Sequence, residues 1–279
     1  MNSQSLSNSA FELAKSFLHT NARPLEVARF HCIFESGGIA GVLSELKKYQ
    51  NPDGGFGHAL EPDLRTPDSS ALCTSVAFQI LREHQVPSDE EIIQHAIRYL
   101  LDTLDKAELH WRIIPESASN APHAPWWNEE GREEERRKFS LNPTSEILGY
   151  LLDFGAADVD QNIISQIIDM VLDYLCSSKE LEMHDQLCCL RLLDTKNLPE
   201  SAGKTLTQEI KRLTAGAVAT QPEQWKGYSL RPLQVIRHPD SPLIEGLEEA
   251  VSQNLDYEIN EQNADGAWPP TWDWGDQHP

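Results

Sequence analysis

The chain has 279 residues, with 44 acidic and 23 basic side chains, and its formal net charge at pH 7 is −21. This charge argues against nucleic acid and anionic lipid as partners, because the protein would repel both. No apolar run approaches the ~18 residues that a membrane-spanning helix needs. The polar N-terminus has the pattern of neither a signal peptide nor an anchor, so we expect a cytoplasmic protein without a membrane span.

Cysteine usage points in the same direction. The number of cysteines is odd, no two form a C-x-x-C pair, and each lies within an apolar helical pattern. This usage is typical of buried free thiols in a reducing compartment rather than of a disulfide framework. The residues concerned are Cys32, Cys73, Cys176, Cys188 and Cys189.

Helical periodicity dominates the first part of the chain. It predicts helices over residues 9–19, 24–36, 39–49, 70–84 and 88–104. The fourth of these is apolar nearly all round, which is typical of a helix buried on both sides. We expect Ser69 or Asp68 to cap it, and Ser88–Glu91 resembles a capping box for the fifth.

Residues 108–141 interrupt this pattern. They contain three prolines, the pair Trp126-Trp127 and the charge run EEGREEERRK. The segment is too long for an ordinary connection, so it is either a flap over a site or a disordered insertion. The tryptophans favour a flap.

The second part of the chain is helical again. Predicted helices cover residues 142–154, 160–175, 181–193, 199–213 and 241–259, and a short helical stretch over 225–236 is interrupted by Pro232. No segment alternates as a strand would, so the predicted fold class is all-α, in a single domain over residues 1–279.

A short motif occurs twice. Gln50–Phe56 reads QNPDGGF and Gln262–Trp268 reads QNADGAW, so Gln, Asn, Asp and Gly recur and an aromatic residue closes both copies. The copies lie about 210 positions apart, close to five units of roughly 42 residues, a length that fits one helix pair per repeat.

This motif, Gln-x-x-Asp-Gly-Gly-aromatic-Gly in its first copy, resembles the QW repeat of squalene and oxidosqualene cyclases and of protein prenyltransferase β subunits. Over residues 22–84, and more weakly over 225–279, the chain is similar to single-domain bacterial members of that superfamily; between them the likeness is one of helical pattern. The resemblance implies an α/α toroid, in which inner helices line a central cavity and outer helices surround them. It also implies that an apolar, isoprenoid-type small molecule is bound or converted there by acid chemistry.

Two family signatures are missing. The cyclases use an Asp-x-Asp-Asp run, and the nearest match here, Asp158–Gln161, lies at a helix start where capping is expected. The prenyltransferases bind zinc through Asp, Cys and His, and this chain has no Asp-x-Cys pair. His184 and Cys188 stand one helical turn apart, but two ligands without a third do not make a site, and we interpret them as buried core residues. We therefore expect no metal and no cofactor, and leave open whether the protein is an enzyme.

The loop after the first motif carries the candidate catalytic residues Asp63, Glu61 and Asp68. In toroids of this kind the inner-helix N-termini face the cavity mouth, so these carboxylates are expected there. A carboxyl group beside an apolar cavity has its charged form disfavoured, which suits a proton donor. Arg65 would instead hold one carboxylate ionised and so separate an acid from a base. The structural alternatives are that Asp68 caps a helix and that Arg65 forms an ion pair with Glu61.

The candidate substrate-binding residues are two residues of this loop and two pairs of tryptophans further along the chain. Aromatic faces stabilise a passing cation without quenching it, and they also suit sugar stacking. The candidates are His58, Arg65, Trp126, Trp127, Trp272 and Trp274. Phe56 and Trp268, within the repeated motif, are expected to hold repeats together instead.

Two other functions remain open. A carbohydrate-active toroid would present an open groove with carboxylates about 5–10 Å apart. A non-catalytic interaction module would have kept the fold and lost the family's active site.

The chain ends where a further inner helix is expected after the second motif. Either helix 9–19 fills that place and closes the ring, or the toroid is open, or the chain is truncated. We favour the first, because helix 9–19 otherwise has no pairing partner.

Overall fold

The computed structural model describes residues 5–128, 130–132, 134, 138–155, 159–270 and 274. No β-strand occurs among these residues, which confirms the all-α prediction; the toroidal arrangement stays a prediction. The helices are α1 Asn8–Asn21, α2 Pro24–Phe34, α3 Ile39–Leu46, α4 Ala71–Glu83, α5 Glu91–Thr103, α6 Leu141–Phe154, α7 Gln161–Ser177, α8 Met183–Leu193, α9 Glu200–Thr214, α10 Pro232–Val235 and α11 Glu248–Asn260.

Several predicted helix starts are wrong by a few residues. Ser70, not Ser69 or Asp68, caps α4, because its Oγ accepts the N–H of Cys73 at 2.9 Å. The expected capping box at Ser88 does not form, and α5 begins only at Glu91. Ser241 accepts the N–H of Leu243 within a turn, and the last helix, α11, begins only at Glu248.

The described residues divide into two compact units. Residues 5–45 and 214–270 form unit 1, and residues 46–213 with 274 form unit 2. None of the described helices is both long enough and apolar enough to cross a membrane.

Unit 2 is built around α6, which packs most extensively against α8 and also against α4, α5 and α7. α4 is buried over most of its surface, as its uniformly apolar pattern predicts. The Phe78 ring of α4 stacks on Tyr150 of α6 with centroids 5.0 Å apart. This burial draws the loop that precedes α4 onto the body of the unit.

Residues 105–128, between α5 and α6, are packed rather than disordered. Trp111 is fully buried and donates its indole N–H to the Leu100 carbonyl at 2.7 Å. The backbone N–H of Leu72 donates to Ile113, and Leu64 forms an isolated antiparallel bridge with His123. The described part of the predicted flap or insertion therefore lies against the loop before α4.

In unit 1, α1 and α2 share a cluster of phenylalanine rings. The Phe11 ring lies 5.8 Å from Phe30 and 5.7 Å from Phe34. Further along the chain, Trp225 is buried, donates to the Ala219 carbonyl at 2.6 Å and meets Tyr257 of α11 edge-on.

The first copy of the repeated motif docks on α5 within unit 2. The Gln50 amide donates to the carbonyl of Gly54 at 3.0 Å, inside the turn, and to that of Ile92 at 2.9 Å, in the first turn of α5. Gly54 has φ of +91°, and a Cβ there would lie 2.3 Å from the His95 carbonyl oxygen. Only glycine tolerates both this positive φ and this close approach. The motif therefore holds a tight turn against a helix.

The second copy makes the same contacts with α1 within unit 1. The Gln262 amide donates to Gly266 at 3.0 Å and to Ala10 at 2.9 Å. Gly266 has φ of +97°, and a Cβ there would lie 2.3 Å from the Leu13 carbonyl oxygen. α1 thus contacts the turn after α11, whereas the prediction that it fills the place of an inner helix and closes a ring stays a prediction.

Candidate functional site

The loop over residues 58–70 is folded back on itself. His58 and Ala59 have positive φ, and the His58 N–H donates to the Thr66 carbonyl at 3.0 Å. Leu60 and Leu64 are buried and anchor the loop to unit 2. Between these two leucines the chain turns Asp63 inward, so that only 5% of its surface is exposed.

The buried carboxylate of Asp63 holds two tryptophans. Its Oδ2 accepts the indole N–H of Trp126 at 2.8 Å, and its Oδ1 accepts that of Trp127 at 2.7 Å. Two backbone hydrogen bonds hold the two segments side by side. The Ala124 N–H donates to the Asp63 carbonyl at 2.8 Å, and the Arg65 N–H donates to the Pro122 carbonyl at 3.0 Å. We call Asp63, Trp126 and Trp127 the indole clamp.

The chemistry of the clamp follows from its donors. An indole N–H donates and cannot accept, so neither tryptophan can take a proton from the carboxyl group. Trp126 nevertheless keeps 41% of its surface exposed, and Trp127 is half-buried. The clamp therefore fixes the orientation of two ring systems, one of which faces solvent.

Arg65 contacts Trp274, another of the predicted substrate-binding residues. Its guanidinium carbon lies 5.0 Å from the centroid of the Trp274 ring, a cation–π distance. Its Nε lies 3.5 Å from the Pro62 carbonyl oxygen. Arg65 and Trp274 are thus neighbours, whereas Trp272 lies outside the described residues.

The other predicted loop residues have local partners. Asp68 is exposed and accepts a hydrogen bond from the Ser117 hydroxyl; the alternative that it caps α4 is wrong, since Ser70 does so. His58 is exposed, and its Nε2 lies 2.9 Å from the Asn51 side-chain oxygen of the repeated motif. Glu61 is half-buried. The clamp contains neither Asp68 nor His58.

Cys73 lies beside this loop and is not a reactive thiol. Burial raises its pKa to about 11, and the charges of Glu61 and Asp63 act in the same direction. Because the thiolate is the nucleophile, a pKa this high leaves the group inert at neutral pH.

A buried polar network centred on α6 was not predicted from the sequence. Glu146 is 2% exposed, and its Oε2 accepts from Gln79 at 3.1 Å and from the Tyr150 hydroxyl at 3.1 Å. Arg191 of α8 lies 3.4 Å from the same oxygen. Burial and Glu146 together raise the pKa of Tyr150 well above its usual value. The only sequence signal was an acid on the buried face of an apolar helix, and its partners come from α4, α6 and α8.

His184 and Cys188 both lie on α8 but differ in burial. Cys188 is buried, with Sγ 3.5 Å from the Asn142 side-chain oxygen and 3.6 Å from Oε1 of Glu146, and burial raises its pKa well above normal. His184 is exposed, and its Nδ1 lies 3.2 Å from Glu182. The core interpretation is confirmed for Cys188 and wrong for His184. All five cysteines are free thiols, but Cys176 is exposed and Cys32 half-buried, so burial was predicted correctly only for the other three.

Comparison with protein-family models, curated proteins and solved structures found no match to this chain. The likeness to the cyclase and prenyltransferase superfamily therefore rests on the repeated motif and its surroundings.

Proposed function

We propose that this protein binds an apolar, isoprenoid-type small molecule on the indole clamp, with Asp63 positioning the two tryptophans. The observation that carries the proposal is the pair of indole N–H bonds to one buried carboxylate beside a ring that is 41% exposed.

The energetics favour a binding role over a purely structural one. Removing a carboxylate from water costs several kcal/mol, and well-packed apolar residues often replace buried charges without loss of stability. The two charge-assisted hydrogen bonds return about 1.5–3 kcal/mol each. A buried charge is therefore a costly way to hold an exposed indole, unless the orientation of that ring matters. Binding sites need such preorganisation of the groups that contact the ligand.

The chemistry of the surface favours a neutral apolar ligand. Indole faces are apolar and carry negative potential, and the net charge of −21 disfavours anionic ligands such as diphosphates. The resemblance to isoprenoid-processing proteins supplies the class. If the ligand is also converted, Asp63 is the residue that we propose as the acid, and Asp63→Asn tests that role.

Isothermal titration with geraniol, a neutral isoprenoid alcohol, tests the proposal. We expect a Kd below about 1 mM for the wild type and at least tenfold weaker binding for Trp126→Ala. Trp268→Ala is the matched control: Trp268 is 38% exposed and also donates one indole hydrogen bond, to Glu258 at 2.6 Å. It should bind geraniol like the wild type.

A second titration distinguishes the alternatives. Binding of a β-glucan oligosaccharide in place of geraniol, lost in Trp126→Ala, would replace this proposal by the carbohydrate hypothesis. Binding of neither probe would contradict it and leave the interaction module as the better hypothesis.

A further inference from the structure

Two imidazoles and a carboxylate come together at the ends of α1 and α2 in unit 1. His19 lies in the last turn of α1, His31 lies in the last turn of α2, and Glu35 follows α2 as its C-cap residue. One ligand atom from each of the three lies within 4.8 Å of the others. Among the residues that the structure describes, no other set of three His, Cys, Asp or Glu side chains meets this criterion.

The fold holds these groups in place. The rings of His19 and His31 meet edge-on with centroids 4.9 Å apart, and Phe30 lies edge-on to His19 at 6.0 Å. The N–H groups of Glu35 and Gly37 both donate to the His31 carbonyl at 3.1 Å. The chain end of α2 therefore wraps closely around His31 and returns Glu35 to the same side as the imidazoles.

Each carboxylate oxygen of Glu35 has its own partner. Oε2 contacts His31 Nδ1, and Oε1 contacts the Lys15 ammonium group of α1. Lys15 thus orients the carboxylate through the oxygen that His31 does not contact, which is the role that outer partners play around bound metals. A metal ion would lie between the His31 nitrogen and the Glu35 carboxylate.

We propose that His19, His31 and Glu35 form a binding site for a divalent transition metal, with zinc the best fit. Two imidazoles and one carboxylate are a zinc donor set that leaves the fourth tetrahedral position to water or another ligand. The nitrogen donors disfavour Mg²⁺ and Ca²⁺, which prefer oxygen ligands. This departs from the expectation of no metal, which rested on the missing Asp-x-Cys pair and on the lack of a third ligand beside His184 and Cys188.

The geometry requires only side-chain movement. Ligands at about 2.0–2.1 Å from a tetrahedral ion lie about 3.3 Å apart. His19, exposed at the helix end, must swing inward, and the His31–Glu35 contact must open slightly. The His31 side chain keeps 43% of its surface exposed, so the site is open to ions from solution.

Zinc titration of the tag-free, EDTA-dialysed chain tests the site. We expect one ion per chain with a Kd of about 1 μM or tighter, and a Co²⁺-substituted sample with the visible absorption of tetrahedral cobalt. His19→Ala, His31→Ala and Glu35→Gln should each weaken zinc binding at least tenfold. The substituted groups are exposed or half-buried, and circular dichroism checks that each variant keeps its helical content.

His95→Ala is the matched control. His95 of α5 pairs with Glu91 four residues away, its side chain is 41% exposed, and no third ligand joins the pair among the described residues. This variant should bind zinc like the wild type. The proposal is overturned if the wild type binds no stoichiometric zinc, if His95→Ala weakens binding as much as His31→Ala, or if His19→Ala binds as tightly as the wild type.

Discussion

Replacing Asp63 by asparagine removes the negative charge of the clamp and keeps the size and shape of the side chain. The amide oxygen can still accept one indole N–H, but the amide nitrogen then faces the other indole, donor against donor. The variant loses one charge-assisted hydrogen bond of about 1.5–3 kcal/mol and leaves a buried donor unsatisfied at about 1–3 kcal/mol. Relief of the buried charge offsets part of this. We expect a net loss of about 3 kcal/mol, or a Tm lower by about 6–12 °C.

Asp68→Asn is the matched control in the same loop. Asp68 is exposed, and its partner is the Ser117 hydroxyl, which can rotate from donor to acceptor. Its Tm should change by less than about 2 °C. Thermal unfolding followed by circular dichroism measures both variants, and the tryptophan emission of Asp63→Asn should shift to the red as the indoles meet water. An Asp63→Asn variant as stable as Asp68→Asn would refute the clamp, and any activity that it retained would show that Asp63 is no catalytic acid.

Two further predictions concern stability. Gly54→Ala should lower the free energy of unfolding by about 3 kcal/mol, because its φ is +91° and the new methyl would meet the His95 carbonyl; Gly41→Ala, on α3 with open space around it, should be neutral or stabilising in the same urea titration. Burial and the neighbouring Glu182 raise the pKa of Asp185 to about 6. The folded state then holds a proton that the unfolded state, with a pKa near 3.9, has released, so the contribution of Asp185 to stability should rise as the pH falls from about 6 to about 4. Asp185→Asn should abolish that rise and stabilise the protein at pH 7, whereas Asp169→Asn, exposed on α7, should preserve it.

Local signals in the sequence predicted most of the helices and the repeated turn. Helical periodicity depends on residues three or four positions apart, and the buried character of α4 is visible in its composition alone. The two copies of the motif were recognisable because the glycine, asparagine and glutamine in each have fixed local tasks. Their shared contacts with the first turns of α5 and α1 follow the same rule at both ends of the chain.

Helix caps were less predictable. Several serines and aspartates compete for each start, and the choice depends on which backbone N–H is left free. Ser70 rather than Ser69 or Asp68 caps α4 because the loop before it is already held by the Phe56 carbonyl, which accepts the Ser70 N–H at 3.0 Å. This constraint comes from a residue outside the helix.

The tertiary structure alone decided which side chains meet. The sequence singled out Asp63, Trp126 and Trp127 separately, but their bonds depend on the antiparallel register of segments about 60 positions apart, which no local pattern encodes. His31 and Glu35 share one helix end, yet the second imidazole, His19, comes from another helix. Glu146 likewise draws its partners from helices that only packing brings together. Periodicity specifies the face that a residue occupies, and the packing of one element on another specifies what that face contacts.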